Sequence, residues 1–338
     1  MYYVGLDVHQ RRSSICILDG HGKQFKRCEV RGDWHKLLAA VATLPRPMAV
    51  GYEASCGYGH LHGKLSQLAQ RVVVGHPGQM RLIFKGKKKH DRIDAEKIAK
   101  LLYLDAMPQV HVPAVNVRDW RGLINYRRRL VERRAAVKTQ LRALLREHGI
   151  TAAAAPKGLF TKTGLAWLLE QAMESAAAAL RREMMCDELK DLDAKIKRVE
   201  QELATIASRH PGVALLRTIP GVGIRTAEAV VAWVDDVRRF ARVRQVGSYF
   251  GLVPCQDSSA EVNRLGHITK DGPATVRKLL CEAAWQGVRR SPTIRRFFQR
   301  VCRGDPDRRK IAVVATAHYL SRVMAAMLRS GEAWRESE

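Results

Sequence analysis

Short apolar runs alternate with amphipathic stretches through the first hundred residues of the chain. Three apolar runs with turn residues between them predict a meander of strands at residues 2–7, 14–18 and 24–30. Apolar residues at helical spacing predict helices at 34–44, 61–68 and 91–104, with strands at 48–52 and 71–74 between them. Because strands alternate with helices, this part of the chain is expected to form a mixed α/β sheet.

The pattern changes near residue 117, where a long helix with an apolar seam and a basic outer face is predicted. Residues 117–148 contain ten Lys or Arg and three Asp or Glu, and the seam comprises Leu123, Leu130, Val137, Leu141, Leu144 and Leu145. A second charged helix is predicted at about 177–208, with the seam Met184, Leu189, Leu192, Ile196, Val199 and Leu203. Together they predict an antiparallel hairpin or coiled coil. This hairpin could serve in dimerisation or in nucleic-acid contact. The alternative is a solvated bundle with neither role.

A third, mainly helical region begins where His210, Pro211 and Gly212 end the second long helix. Its sequence IPGVG, which contains Gly221 and Gly223, joins two short predicted helices as in a helix-hairpin-helix. Glycines allow close backbone approach, and the N-terminus of the next helix offers N–H groups to a phosphate. The alternative is that this hairpin only packs against its neighbours.

Charge indicates the partner. The 338 residues include 59 Lys or Arg and 33 Asp or Glu, a formal net charge of +26. Such an excess favours a nucleic acid, and an anionic membrane surface is a weaker alternative. No apolar run long enough to span a membrane and no signal peptide were recognised in the sequence. The seven cysteines are scattered without a paired motif, which favours reduced thiols in the cytoplasm over a zinc site.

Four carboxylates stand out against this basic background: Asp7, Glu53, Asp91 and Asp94. Asp7 closes the first predicted strand, Glu53 follows the strand predicted at 48–52, and Asp91 and Asp94 share one face near the start of a predicted helix. If they lie close together they would repel one another unless cations held them, and one or two Mg²⁺ ions suit such oxygen ligands. Taken singly, Asp7 could be a turn residue, and Asp91 and Asp94 could be present only because the helix dipole favours acidic side chains at the N-terminus of a helix.

Basic side chains near these acids are candidate phosphate contacts. Lys85, Lys87, Lys88 and Lys89 lead directly into the acidic helix, although they could also form only a solvated loop. On the first long helix the candidates are Arg127, Arg128 and Arg134.

A polar segment in the third region predicts a loop that contains Ser258 and Ser259, followed by basic residues at intervals: Arg264, Lys270 and Arg277. A serine there could attack a phosphate if a metal or a base activated it. Serine pairs in loops are, however, more often turn residues.

The motifs occur in a characteristic order: GLDVHQ, GYEAS, DRIDAEKIAKLL, IPGVG, then GLVP, SSA, RLGHITKDG and VRKLL. Together they resemble the DEDD transposases of bacterial insertion sequences, a family that includes a pilin-gene invertase. The resemblance implies a RuvC-like, ribonuclease-H-like domain (1–115), a coiled-coil insertion (116–209) and a C-terminal transposase domain (210–338) with the helix-hairpin-helix. It also implies that Asp7, Glu53, Asp91 and Asp94 are the four acidic ligands.

The same resemblance implies a catalytic serine at Ser259, where the family's following glycine is replaced by Ala260, so that Ser258 stays a second candidate. The implied activity is cleavage and rejoining of donor and target DNA through a 5′-phosphoserine, guided by a bridge RNA, in a cytoplasmic, nucleoid-associated homodimer or homotetramer. The carboxylates and serine would form one site, in cis or in trans. Two alternatives stay open: a RuvC-like nuclease that hydrolyses branched DNA, and a non-catalytic nucleic-acid-binding protein.

Overall fold

The structure is a computed structural model that describes residues 1–55, 57–83, 91–259 and 262–336, without the side chains of 91–93, 257–259, 262, 263 and 265. The chain forms two compact units, Met1–Val115 and Asn116–Glu338. Each unit has its own apolar clusters.

The first unit is built on a five-stranded sheet of order β3-β2-β1-β4-β5. Its elements in chain order are β1 (Tyr2–Val8), β2 (Arg12–Leu18), β3 (Gln24–Arg31), α1 (Trp34–Ala42), β4 (Met48–Glu53), α2 (Tyr58–Leu65), β5 (Arg71–Gly75), α3 (Pro77–Ile83) and α4 (Asp91–Tyr103). The first three strands pair antiparallel, whereas β4 runs parallel to β1 and to β5. This confirms the mixed sheet and the order of the predicted elements; α3 was not predicted.

Alternating side chains of the strands pack on two different helical layers. Val4 and Leu6 of β1 join the cluster that contains Leu37 of α1 and Leu61 of α2. On the opposite face, α4 packs on the sheet, and the Tyr3 ring meets the Tyr103 ring edge-on, with a centroid distance of 5.2 Å. Since successive side chains of a strand alternate between faces, the odd-numbered positions of β1 face α4.

The second unit begins with two 33-residue helices, α5 (Val115–Glu147) and α7 (Ala176–Ser208), with the shorter α6 (Lys162–Glu170) between them. Ion pairs join Arg127 to Glu200, Arg134 to Asp193 and Arg181 to Glu147. Residue numbers increase along α5 while those of the paired residues decrease along α7, so the two helices run antiparallel. The antiparallel hairpin is therefore confirmed. Most of the predicted seam is buried, but Met184 is 56% exposed and does not belong to it.

The rest of the second unit is mainly helical, as predicted. It comprises α8 (Pro211–Leu216), α9 (Ile224–Val234), α10 (Arg244–Tyr249), β6 (Pro254–Ser259), β7 (Val262–Ile268), α11 (Ala274–Arg290), α12 (Pro292–Cys302) and α13 (Arg309–Ser330). The antiparallel pair β6–β7 corrects the expectation of a polar loop, because Ser258 and Ser259 are residues of β6. This strand has no apolar alternation, so its sequence resembles a loop.

One segment, Pro306–Ser330, is long and apolar enough to cross a membrane by length and composition. No such segment was predicted from the sequence. Half of its apolar window is buried inside the protein, and Leu320 and Met324 belong to the main core of the second unit. Packing against the neighbouring helices therefore accounts for its apolar character.

Candidate functional site

Two glycines bring α4 against the sheet. A Cβ atom on Gly5 of β1 would overlap the carbonyl oxygen of Ala95 and the amide nitrogen of Ala99, both backbone atoms of α4. A Cβ on Gly51 of β4 would lie 3.3 Å from a methyl group of Ile98. The helix can approach β1 this closely only because Gly5 carries no side chain, and the absence of a side chain at Gly51 avoids a tight contact with Ile98.

This packing sets the position of the predicted acids. Gly5 pairs with Gly51 and Leu6 with Tyr52 in the parallel register of β1 and β4, so Asp7 and Glu53 come next on adjacent strands. Each acid lies two residues after its glycine and therefore faces the same side of the sheet. That side is the one covered by α4.

The direction of α4 places its first turn near these acids. Tyr103, at the end of α4, meets Tyr3, whereas Ala95 and Ala99 lie over Gly5. The helix therefore runs antiparallel to β1, and its N-terminal turn lies toward Asp7. Asp94 directly precedes Ala95 in this turn, so three predicted ligands occupy one end of the sheet–helix layer.

The described acids have partners of their own. The Asp7 carboxylate lies 3.4 Å from Nε2 of His9, and the Asp94 carboxylate lies 3.4 Å from Nζ of Lys97. Their side chains are 19% and 33% exposed, respectively. Among the described residues, no group of three His, Cys, Asp or Glu side chains has the arrangement of a metal site. The Asp91 side chain lies outside the described set, so the predicted tetrad stays a prediction.

The donor chemistry nevertheless fits a divalent cation. Asp7, Glu53 and Asp94 offer carboxylate oxygens, which are the ligands that hard cations such as Mg²⁺ prefer. They stand at one end of the layer between the sheet and α4, and Glu53 is exposed to solvent. A phosphate could therefore reach a cation held there.

The other predicted contacts are dispersed. Lys85, Lys87, Lys88 and Lys89 lie outside the described residues. On the hairpin, Arg127 is paired with Glu200 at 2.6 Å. The same holds for Arg128 with Glu132 (2.9 Å) and Arg134 with Asp193 (2.7 Å). These guanidinium groups would have to exchange partners, or share them, to bind a phosphate.

In the C-terminal region, Arg264 and Lys270 are exposed, while Arg277 has a structural contact. Its Nη1 donates to the carbonyl oxygens of Phe250 at 3.1 Å and Gly272 at 3.2 Å, which ties two loop segments together. Whether Arg277 also binds nucleic acid stays a prediction.

The two glycines of IPGVG differ from each other. Gly221 has φ +92°, and a Cβ there would overlap the backbone of Gly287 in α11, so this glycine serves a packing contact. Gly223 precedes α9, and a Cβ there would meet open space. The observed turn between α8 and α9 thus packs against a neighbour, as the alternative interpretation expected, and its phosphate contact stays a prediction.

Gly5 and Gly51 were not among the residues predicted for the site. The signal was available as a repeated spacing, because a glycine precedes the acid by two residues on both strands, in Gly5-Leu6-Asp7 and Gly51-Tyr52-Glu53. Because side chains alternate between the two faces of a strand, residues two positions apart lie on the same face. The spacing therefore places each acid on the face where the helix can approach the glycine.

A buried carboxylate in the second unit was also missed. Glu228 of α9 is 1% exposed and accepts hydrogen bonds at 2.9 and 3.0 Å from Nη1 of Arg225. Burial raises the pKa of Glu228 to about 7, although the Arg225 guanidinium acts in the opposite direction. No periodic or motif signal distinguishes this glutamate, because its burial depends on neighbouring helices.

The Glu228 pKa predicts a pH-dependent stability. The folded pKa of about 7 exceeds the ordinary value of 4.5, so the folded state holds a proton that the unfolded state releases between these values. This contribution is complete below about pH 4.5 and is lost as pH rises through about 7. We expect Glu228→Gln to abolish roughly 2–3 kcal/mol of that pH dependence.

Denaturant unfolding of the two proteins at pH 5 and pH 8 measures this difference, since most of the window between 4.5 and about 7 lies between these two pH values. Glu202→Gln, at an exposed position of α7, is the matched control and should retain the wild-type dependence. Equal pH dependence in wild type and Glu228→Gln would show that Glu228 stays ionised in the folded protein.

Comparisons with known proteins identify the family of this chain. A family model of DEDD transposases of the IS110 type matches residues 4–150, and one described as "Transposase IS116/IS110/IS902 family" matches residues 213–299. A probable family 20 transposase of Pseudomonas aeruginosa is 30% identical and aligns over 98% of both chains. The IS1111A transposase of Coxiella burnetii is 30% identical over 83% of this chain and 76% of its own. The IS1328 transposase of Yersinia enterocolitica is 27% identical over 83% and 82%. The chain therefore belongs to the DEDD transposase family of bacterial insertion sequences, enzymes that act on DNA by strand cleavage and transfer.

Proposed function

We propose that the first unit is a RuvC-like, ribonuclease-H-like nuclease domain that binds the scissile DNA phosphate through Mg²⁺. The observation that carries this proposal is the placement of Asp7 and Glu53 on adjacent parallel strands, on the face covered by α4. The sheet order β3-β2-β1-β4-β5, with three antiparallel strands followed by parallel pairs, supports the same domain assignment.

In this proposal Asp7, Glu53, Asp91 and Asp94 hold one or two ions. The bound metal would offset negative charge on the phosphate. Asp7 and Glu53 are set on strands whose position is fixed by the α4 packing, so the protein supplies a rigid part of the ligand set. Asp91 and Asp94 complete it from the first turn of the helix.

We further propose that Ser259 is the nucleophile. Its Oγ forms a bond to phosphorus while the bond from phosphorus to the 3′ oxygen breaks, and the serine proton ends on that 3′-OH. The 5′ end stays linked to the protein as a phosphoserine until the 3′-OH of another strand attacks it and restores the serine hydroxyl. The phosphodiester energy is conserved in that link, so no nucleotide hydrolysis is needed.

The proposed partners are donor DNA, target DNA and a bridge RNA, in a nucleoid-associated homodimer or homotetramer. Strand exchange involves two duplexes, which favours more than one protomer. The formal charge of +26 supports extensive contact with phosphate backbones. With sequence recognition delegated to base pairing, protein contacts would mostly position the strands.

The serine step is tested by Ser259→Ala. Loss of the nucleophile should lower strand exchange by roughly 10³-fold or more and should remove a covalent protein–DNA adduct from a denaturing gel. The matched control is Ser258→Ala, which shares the strand and should retain both exchange and adduct.

Three other results decide between mechanisms. Adduct loss in Ser258→Ala alone would transfer the role to Ser258. Undiminished exchange in both variants would contradict the serine mechanism. Cleavage that persists without any adduct would favour hydrolysis of branched DNA by the first unit, whose predicted ligands all lie within Met1–Val115.

A further inference from the structure

A basic segment near the C-terminus is not used by the proposed chemistry. Residues 289–310 contain nine Arg or Lys and two Asp, and α12 lies within them. The hairpin arginines pair with acids, whereas Arg300 and Arg303 form no ion pair with the acidic residues that the structure describes. Their positive charge is therefore available to an external anion.

Helix α12 is firmly held in the protein. Its buried side is formed by Ile294, Phe298 and Cys302. Ser291 caps its N-terminus by accepting a hydrogen bond from the Ile294 N–H at 3.2 Å, and it donates to Glu336 at 2.9 Å. The opposite face is thus presented on a fixed element, which limits the conformational entropy lost on binding.

That outer face combines aromatic rings with guanidinium groups. Phe297 of α12 stacks on Tyr319 of α13, with ring centroids 4.5 Å apart and an angle of 16° between the planes. The Arg300 guanidinium lies 5.1 Å from the Phe297 ring centroid. A cavity of about 260 Å³ opens here, lined by Thr293, Arg296, Phe297, Arg300 and Tyr319.

Additional charge lies beside the rings. Burial raises the pKa of Tyr319; the cations of Arg322 and Arg300 oppose that rise, and the carboxylate of Glu336 adds to it. Arg322 is exposed on α13. The cavity itself is lined by two guanidinium groups of α12, those of Arg296 and Arg300, and Arg322 follows the lining residue Tyr319 by about one turn of α13.

Aromatic rings interleaved with arginines are typical of surfaces that bind unpaired strands. Bases of an unpaired strand can stack on a protein ring while guanidinium groups bind the phosphates. Bases inside a duplex already stack on each other and are not available in this way. A surface used only for duplex contacts would need the charges but no partly exposed rings.

We propose that this face, which we call the α12 surface and define by Arg296, Phe297, Arg300, Tyr319 and Arg322, binds single-stranded DNA. The proposal rests on the proposed function, because strand cleavage and transfer generate unpaired DNA. The α12 surface would hold such a strand by stacking one base at the Phe297–Tyr319 edge, with its phosphates on the arginines.

The test is fluorescence anisotropy with the full chain carrying Asp7→Asn, so that binding is read without cleavage. The probes are oligo-dT of about 20 nucleotides, the corresponding duplex and oligo-U of equal length, at one fixed salt concentration. Phe297→Leu keeps an apolar side chain but removes the ring. We expect it to weaken oligo-dT binding roughly 5- to 100-fold and to leave duplex binding within about 3-fold.

A charge variant supplies the second readout. Arg296→Gln with Arg300→Gln should weaken oligo-dT binding more than the charge-matched control, Lys162→Gln with Lys190→Gln, whose residues are exposed on α6 and α7. The control measures the general effect of removing two charges. Thermal unfolding of every variant checks that the second unit remains folded.

Equal losses of oligo-dT affinity in the two double variants, or unchanged oligo-dT binding in Phe297→Leu, would contradict the proposal that the α12 surface binds single-stranded DNA. Tighter binding of oligo-U than of oligo-dT, lost in Phe297→Leu, would overturn the assignment to DNA. Neither result bears on the nuclease, because the proposed function is judged by the cleavage activity of the chain with Asp7 intact.

Discussion

Asp7→Asn is expected to reduce DNA strand cleavage by roughly 10³-fold or more, which corresponds to about 4 kcal/mol in the barrier. Asparagine has nearly the same shape but no negative charge, so the ligand set would lose much of its hold on a cation. Asp7 lies near the end of β1 and is only partly exposed, and Glu53 is the residue that follows Tyr52, the last β4 residue paired with β1. The charge change thus acts at the centre of the proposed site.

The measurement is cleavage of a supercoiled donor plasmid in Mg²⁺, with binding to the same DNA followed separately. Binding should stay within about 3-fold, because one carboxylate contributes little beside a formal charge of +26. The matched control is Asp105→Asn. Asp105 is 70% exposed and pairs with Arg71, and its replacement should leave cleavage unchanged.

Full cleavage by Asp7→Asn would show that Asp7 is not part of the catalytic site. It would favour a mechanism that does not depend on these carboxylates. Equal loss in Asp105→Asn would indicate a general effect of charge or folding. Restoring activity in Asp7→Asn with Mn²⁺, but not with Ca²⁺, would support a role in binding the metal.

Gly5→Ala is expected to destabilise the first unit by about 2–4 kcal/mol and to reduce cleavage with it. The new methyl group would overlap backbone atoms of Ala95 and Ala99, and backbone atoms cannot rotate away as a flexible side chain can. To relieve the overlap, α4 must move off the sheet. Because α4 carries Asp94, the same movement separates predicted ligands.

Denaturant unfolding and plasmid cleavage test this expectation on the full chain. Gly63→Ala is the matched control, since Gly63 is an exposed position of α2 with open space at its Cβ. Alanine there should raise stability by about 0.5–1 kcal/mol, because it lowers the entropy lost on forming a helix. Equal stability of wild type and Gly5→Ala would mean that α4 does not require contact with the bare backbone of Gly5.

Local periodicity was enough to predict most elements of the first unit. Helix α1 buries Leu37 and Val41, which are one turn apart, and strand β1 buries the continuous run Val4–Leu6, so a helical period and a short apolar run each reflect the structure directly. Strand β6 (PCQDSS) lacks that signal, because its polar residues pair with β7 and no apolar face is formed. Helix α3 has seven residues, too few for a clear repeat.

The long helices also show that periodicity predicts an element more reliably than its packing. Their apolar residues predicted both seams, but Met184 fits the spacing and is exposed. A repeat specifies which residues could face a partner helix, and it does not specify where the partner packs. Likewise, the IPGVG motif predicted a turn, whereas the contact of Gly221 with the α11 backbone depends on a segment more than sixty residues later.

The amino-acid sequence by itself determined the order of strands and helices, the basic character of the chain, and the identity of the four candidate carboxylates. These properties follow from residue type and spacing along one segment. Only the tertiary structure decided that α4 lies directly on Gly5 and close to Gly51, on the face of the sheet to which Asp7 and Glu53 also belong. The physical reason is that a position requires glycine for packing when a distant backbone occupies the space where a Cβ would be. No local sequence pattern shows where that distant backbone lies.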